Sequence, residues 1–274
     1  MIAQDQQQQN YAAHPDQRGP FHIIGDVHGC FEELLALLQQ LGYAVELHEQ
    51  QRYISQSQVR SKLIFVGDLV DRGPNSPEVL RLVMDLMEQG LAYCVSGNHD
   101  DKLHRMLLGH NVQVRHGLEL TVAQLASYDD AFRTRVKDFL GTLPHHLIFD
   151  EGRLIVAHAG LEERLHGSNS KSVRALCLYG PVSGGKDEKG LPIRLDWAAE
   201  YCGKSVVVYG HTPVQEPHWR NNTINIDTGC VFGGSLTAMS YPEYKLTSVE
   251  ALTKYAEPMR PFILHPRHAQ HSSS

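Results

Sequence analysis

The sequence predicts an α/β fold of two mixed sheets packed as a β-sandwich, flanked by helices and carrying a helical cap. Three observations predict it. Short apolar, β-rich runs repeatedly end at Gly-Asp, Gly-Asn or Gly-His. Helical stripes separate the first three of these runs, the βαβαβ pattern of a parallel sheet. Past residue 143 the chain turns strand-rich, which calls for a second sheet.

The first run, Phe21–Ile24, reaches Gly25-Asp26. From Phe31 to Leu41, Leu34, Leu35, Leu37, Leu38 and Leu41 form a helical stripe. Leu63–Val66 then reaches Gly67-Asp68. A helix is expected from Ser76 to Gln89, with Ser76 as its cap and Pro77 at its first position. Leu91–Val95 reaches Gly97-Asn98-His99-Asp100. Residues 101–143 carry no strand signal and are expected to form the helical cap. His146–Phe149 and Leu154–Val156 flank Asp150-Glu151-Gly152, a hairpin signal. Val206–Tyr209 reaches Gly210-His211, and Thr223–Ile226 reaches Asp227-Thr228-Gly229. Leu236–Tyr241 and Lys245–Val249 complete the expected second sheet.

The segment Gly180–Lys186, GPVSGGK, has phosphate-loop spacing. Asp187 stands where that loop needs a magnesium-binding Ser or Thr, so a flexible loop is expected. Residues 1–19 are Gln-rich and polar, and are expected to be disordered. Residues 251–274 are expected to be a loose tail, leaving 20–250 as the domain.

Composition narrows the function. The chain has 274 residues and a net charge of −6, from 25 basic and 31 acidic side chains. That balance argues against non-specific nucleic-acid binding, which runs on positive charge. Five widely spaced cysteines with no CxxC pair suit a reducing compartment. The start MIAQDQQQQN lacks a basic and apolar leader, and no run is long enough to span a bilayer, so a cytoplasmic location and no membrane partner are expected.

Ligands of parallel sheets bind beyond the carboxyl ends of the strands. At those ends lie Asp26 with His28, Asp68 with Asp71 and Arg72, Asn98 with His99, and then His158, His211 and Asp227. Carboxylate, amide oxygen and imidazole together suit Mn, Fe, Zn, Ni or Co better than a soft-metal site. Glycines at 25, 67, 97 and 210 precede these side chains, as expected where backbone must turn sharply close to an ion.

Five motifs, GDVHG (25–29), GDLVDRG (67–73), GNHD (97–100), HAG (158–160) and GHT (210–212), stand in an order and spacing that resemble the calcineurin-like metallophosphoesterases, in the phosphoprotein-phosphatase branch. Residues 206–243 are similar to bacterial diadenosine-tetraphosphate hydrolases and to the phosphatase domain of bacterial polynucleotide kinase-phosphatases. Pro181 stands where the latter tend to carry an Asp. Many phosphoprotein phosphatases carry GNHE; the GNHD form here makes a protein substrate a weaker expectation.

The resemblance implies two divalent cations, manganese foremost, with nickel, cobalt, iron or zinc as alternatives. Asp26 and His28 would hold the first, Asp68 would bridge, and Asn98, His158 and His211 would hold the second. Arg72 and Asn98 would bind the substrate phosphate, and His99, oriented by Asp71, would protonate the leaving oxygen. Asp227 is expected either as a ligand or just behind the ligands; a plain turn role is its alternative. The expected activity is attack of metal-activated hydroxide on a phosphate ester or anhydride, foremost of a dinucleoside polyphosphate or other nucleotide-type phosphate. The alternatives are a serine/threonine or tyrosine protein phosphatase acting on a phosphoprotein and, from another class, a non-catalytic phosphate-binding module.

Overall fold

The computed structural model describes residues 11–48, 51–55 and 60–262. In chain order the strands and helices are β1 (Tyr11–His14), β2 (Phe21–Ile24), α1 (Phe31–Gln40), β3 (Ala44–His48), β4 (Gln51–Ser55), β5 (Lys62–Phe65), α2 (Ser76–Glu88), β6 (Ala92–Cys94) and α3 (Asn98–Leu107). Next come α4 (Leu118–Leu125), α5 (Asp130–Thr142), β7 (His146–Phe149), β8 (Leu154–Ala157), α6 (Lys171–Tyr179), β9 (Val182–Lys186), β10 (Pro192–Arg194) and α7 (Trp197–Glu200). The chain closes with β11 (Val206–Tyr209), β12 (His218–Arg220), β13 (Thr223–Asn225), β14 (Ser235–Tyr241) and β15 (Leu246–Glu250).

Two mixed sheets carry the fold. One runs β15-β14-β2-β5-β6, the other β1-β7-β8-β11-β13-β12. Strands β2, β5 and β6 are parallel, and so are β8, β11 and β13. The period of two in strand side chains sorts the core into layers. Phe21 and Ile23 of β2, with Ile64 of β5, meet Leu147, Phe149, Val156 and Val208 of the other sheet. Their neighbours Ile24, Leu63 and Phe65 point the opposite way, onto Leu34 and Leu38 of α1 and Leu80 and Val83 of α2. Each such side chain, fully removed from water, contributes roughly 1.5–3 kcal/mol.

Several expectations are corrected. Strand β14 pairs with β2, and β15 pairs with β14, so both extend the first sheet; they are not part of the second. Apolar alternation reveals a strand but not which edge it will join. Tyr11–His14 is no loose segment: it pairs in parallel with β7, and Tyr11 stacks on His146. The expected disorder of residues 1–10 lies outside the described residues. Ser76 is the first residue of α2, after Asn75, and its Oγ accepts from the Asp71 N–H instead of capping the helix. Val182–Lys186 of the GPVSGGK segment form a strand, β9, in an exposed hairpin with β10. Residues 251–262 are docked: the Ala251 N–H donates to Gly234 O, and the Tyr255 hydroxyl donates to Glu33. Residues 263–274 of the expected tail lie outside the described residues. Residues 101–143 hold most of α3, with α4 and α5. No helix among the described residues is long and apolar enough to cross a membrane.

Candidate active site

The carboxyl ends of both sheets meet at one edge. The first sheet delivers Asp26 after β2, Asp68 after β5, and Asn98 and His99 after β6, in the first turn of α3. From the second come His158 after β8, His211 after β11 and Asp227 after β13. Two three-residue groups of donor atoms form there, His28–Asp68–His99 and Asp68–His158–His211, each with its atoms within 4.8 Å of one another. Asp68 belongs to both.

The histidines are oriented from behind. His28 Nδ1 donates to Val70 O at 2.7 Å, leaving Nε2 3.4 Å from Asp68 Oδ2. His158 Nδ1 donates to Val66 O at 3.0 Å, and its Nε2 lies 3.1 Å from Asn98 Oδ1 and 3.4 Å from Asp68 Oδ2. A backbone carbonyl on the far ring nitrogen is the usual support of a metal-binding imidazole. His211 Nε2 is buried without a hydrogen-bond partner among the described residues, an orphaned donor-acceptor at the same edge. Asp26 stands at the margin of these groups, 4.0 Å from His158 Nδ1, and accepts from the His211 N–H.

The electrostatics fit cations. Burial, reinforced by Asp227 and Asp68, pushes the Asp26 carboxyl well above its ordinary range. Burial pushes Asp227 up to about 6 and Asp100 up to about 7, with Asp68 adding to both. For Asp68 itself burial acts upward too, but His158, His99 and His28 outweigh it and hold the carboxyl well below. Burial lowers the His28 and His211 imidazoles well below their ordinary range, helped by Arg72 and Arg194 respectively, whereas at His158 the Asp68 carboxylate outweighs burial and raises the imidazole. Packed carboxylates beside imidazoles shifted in opposite directions form an environment that divalent ions relieve. The residues present therefore fit a metal centre.

Around this centre, His99 Nδ1 lies 2.6 Å from Asp71 Oδ2, and Asp71 Oδ1 accepts from the Thr121 hydroxyl at 2.7 Å. Arg72 Nη1 donates to His28 Nε2 at 2.7 Å, and its guanidinium lies 5.2 Å from the centre of the Phe232 ring. Asp227 lines the cleft, outside both three-residue groups, with Oδ1 accepting from the Gly229 N–H. The edge is strained. Of the ten non-glycine residues with positive φ among those described, five are His28, Asp68, Asp71, Arg72 and His211. Such backbone costs free energy and clusters at functional sites. The glycines have a steric reason at two places: a Cβ on Gly210 would lie 1.9 Å from Asp26 Oδ1, and one on Gly97 2.2 Å from Asp68 Oδ1.

Two contributors escape sequence reading. Asp100 braces the Asp68 turn by accepting from the Leu69 and Gly97 N–H groups. Arg194, on exposed β10, donates to the Thr212 hydroxyl beside His211 and brings a second guanidinium to the cleft. Its only sequence signal is a positive charge between the HAG and GHT motifs.

A two-sheet sandwich with Asp, Asn and His donors gathered on one edge defines a class of protein, the metal-dependent phosphoester hydrolases. The chain belongs to the calcineurin-like phosphoesterase family, whose model matches residues 19–215. It is 47% identical over 251 residues to bis(5'-nucleosyl)-tetraphosphatase PrpE, asymmetrical, of Anoxybacillus flavithermus, covering 88% of this chain and 99% of that one. The protein of the same name from Halalkalibacterium halodurans is 46% identical, covering 84% and 93%. A crystal structure provisionally named as a diadenosine tetraphosphatase superposes with a TM-score of 0.63 at 30% identity, covering 89% of this chain and 98% of that one. A yeast protein serine/threonine phosphatase shares the fold, with a TM-score of 0.58 at 14% identity over 95% of this chain and 85% of that one. The chain is a metal-dependent phosphohydrolase.

Proposed function

We propose that this hydrolase cuts dinucleoside tetraphosphates, using two divalent cations held on either side of Asp68. The observation that carries the metal reading is the membership of Asp68 in both donor groups, with His28 in one and His158 and His211 in the other; His99, tied through Nδ1 to Asp71, is kept for proton transfer. The names of the relatives support the substrate. Asp26 and His28 with Asp68 would hold one ion; Asp68, Asn98, His158 and His211 would hold the other. Manganese suits the set, as do nickel, cobalt, iron and zinc. When bound, the ions would neutralise phosphate charge and make hydroxide available near neutral pH.

The chain's own residues do the rest. Arg72, with Asn98, holds the non-bridging oxygens of the attacked phosphate, and the planar fork of Arg72 suits that geometry. Arg194, held at Thr212 beside His211, supplies a second guanidinium to the same group. His99, its Nδ1–H directed at Asp71, presents Nε2 as the proton donor to the departing oxygen. Asp227 backs Asp26 from outside both donor groups. Five cysteines without a disulfide suit the cytoplasm, where we place the protein.

A panel with manganese tests the reading: diadenosine tetraphosphate, a phosphoserine peptide, a phosphotyrosine peptide, a 2′,3′-cyclic nucleotide and p-nitrophenyl phosphate, compared by kcat/KM. Diadenosine tetraphosphate should lead by at least about tenfold. A lead for either peptide would replace the substrate assignment with a protein phosphatase.

A further inference from the structure

The cleft over the metal edge has a volume of about 1270 Å³. That exceeds the roughly 300–1,000 Å³ usual for small-molecule sites and is far more than one phosphate fills. Its lining is unusual in a second way. Twelve large apolar side chains are exposed among the described residues, and five of them, Leu120, Tyr179, Val182, Ile193 and Met259, line this cleft. Exposed apolar surface gathered in one place marks a binding surface.

Val182, Ile193 and Met259 belong to two pieces of chain outside both large sheets. The β9–β10 hairpin is exposed along both strands. Two-stranded hairpins are marginal in water on their own, so something must hold this one. The C-terminal segment does. Arg260 Nε and Nη2 donate to Asp187 Oδ2 at 2.9 and 2.6 Å, and Nη2 also donates to Pro192 O at 2.9 Å. Lys189 Nζ donates to Met259 O at 2.9 Å. Asp187 in turn shapes the hairpin turn, its Oδ1 accepting the Lys189 and Leu191 N–H groups at 3.0 and 2.9 Å. The segment is fixed at its other end, where the Tyr255 N–H donates to Val231 O and its hydroxyl to buried Glu33. Arg194 follows Pro192 by two residues and reaches the metal edge at Thr212. One continuous wall therefore runs from the Arg194 guanidinium to an apolar patch.

We propose that the β9–β10 hairpin and the segment from Tyr255 to Phe262 form a nucleoside-binding subsite, and that the Arg260–Asp187 pair is the clip that holds it in place. The inference rests on the dinucleoside polyphosphate reading above. A nucleobase presents a flat apolar face that Ile193 and the adaptable thioether of Met259 suit, while the attached phosphates run past Arg194 toward the metal donors. Arg260 and Asp187 act here as positioning residues.

The test compares kcat/KM for diadenosine tetraphosphate with that for p-nitrophenyl phosphate, which has no nucleoside, in the full-length manganese-loaded enzyme. Arg260→Ala and Asp187→Ala should each lower the ratio about tenfold or more, chiefly through KM for the dinucleotide. The reversed pair Asp187→Arg with Arg260→Asp should recover part of the loss. Ile193→Ala with Met259→Ala should lower the ratio with the clip intact. Limited trypsin digestion gives an independent readout, since loosening the clip should speed cleavage after Lys186 and Lys189. If the wild type does not prefer the dinucleotide, the substrate reading falls and takes the subsite with it. If the wild type does prefer it and the single variants keep the ratio, the subsite alone falls.

Discussion

At the shared sheet edge, candidate side chains are buried and held from more than one direction. Asp71 is fully buried between His99 and Thr121, and Asp68 takes the His99 N–H while facing His28 and His158. Across the cleft, the β9–β10 hairpin is exposed along both strands and tied by surface contacts to the C-terminal segment. The first region stores positive-φ strain and crowded carboxylates, a cost that only a packed core can restrain. The second stores neither. If the edge reacts and the wall recognises, as proposed, the difference teaches that reacting groups need fixed positions and an unfavourable resting state, while recognition of a substrate's distant parts can rest on a wall with little core behind it. Variants on the two sides should fail differently.

The largest failure should come from the residue common to both donor groups. Asp68→Ala is expected to lower kcat/KM more than about a thousandfold, roughly 4 kcal/mol or more. Elemental analysis of the purified variant should show loss of bound metal. Two ions retained as tightly as in the wild type would break the claim that the buried edge is organised around this carboxylate.

His99→Ala should separate proton transfer from metal binding. We expect kcat to drop roughly a hundredfold or more while metal content and KM stay close to wild type. The loss should be greater for an alkyl phosphate, whose departing oxygen needs the proton, than for p-nitrophenyl phosphate. An equal loss on both substrates would remove His99 from the leaving-group side.

How much of this was legible follows the same division. The edge was readable because each donor sits in a short glycine-bounded turn after an apolar strand, so identity, spacing and order are all local. Its supports were not: Thr121 reaches Asp71 from 50 residues away, and Asp100 looks like any acid in a helix's first turn. Strand order was illegible where pairing is distant, as in the junction of β14 with β2. The wall left almost no trace, because exposed strands show no alternation and Arg260 meets Asp187 across 73 residues. His145 was equally silent in sequence; it is buried, with neither ring nitrogen hydrogen-bonded among the described residues.

That histidine gives the buried half a measurable weakness. Burial, then Arg174, lowers its pKa from 6.5 to about 4. Between those values the unfolded chain binds the proton and the folded chain does not. The stability it contributes is complete above about pH 6.5 and is lost as pH falls toward about 4. At pH 5 the loss is roughly 2 kcal/mol. Urea unfolding at pH 7.5 and pH 5 should show the wild type weakening more than His145→Leu over that interval. Equal weakening would place the acid sensitivity elsewhere, in the carboxylates of the metal edge.

The smallest effect sharpens the comparison most, because the two arginines stand on opposite sides of it. Arg72 has a φ of 72°, lies over Phe232 and donates to His28, so its fork is fixed. Arg194 is exposed on the hairpin. A fixed fork cannot be replaced by a point charge, whereas an exposed charge largely can. Arg72→Lys should therefore raise KM or lower kcat by roughly tenfold or more, while Arg194→Lys should change kcat/KM only about two- to threefold. Arg194→Ala should cost about tenfold, chiefly in KM, and that cost should shrink at high salt, since exposed charges are screened over about 3 Å at 1 M. Steady-state kinetics with diadenosine tetraphosphate at low and high ionic strength decides it. If Arg194 proves as intolerant of lysine as Arg72, and as insensitive to salt, the hairpin belongs with the rigid edge and the contrast between the two regions dissolves.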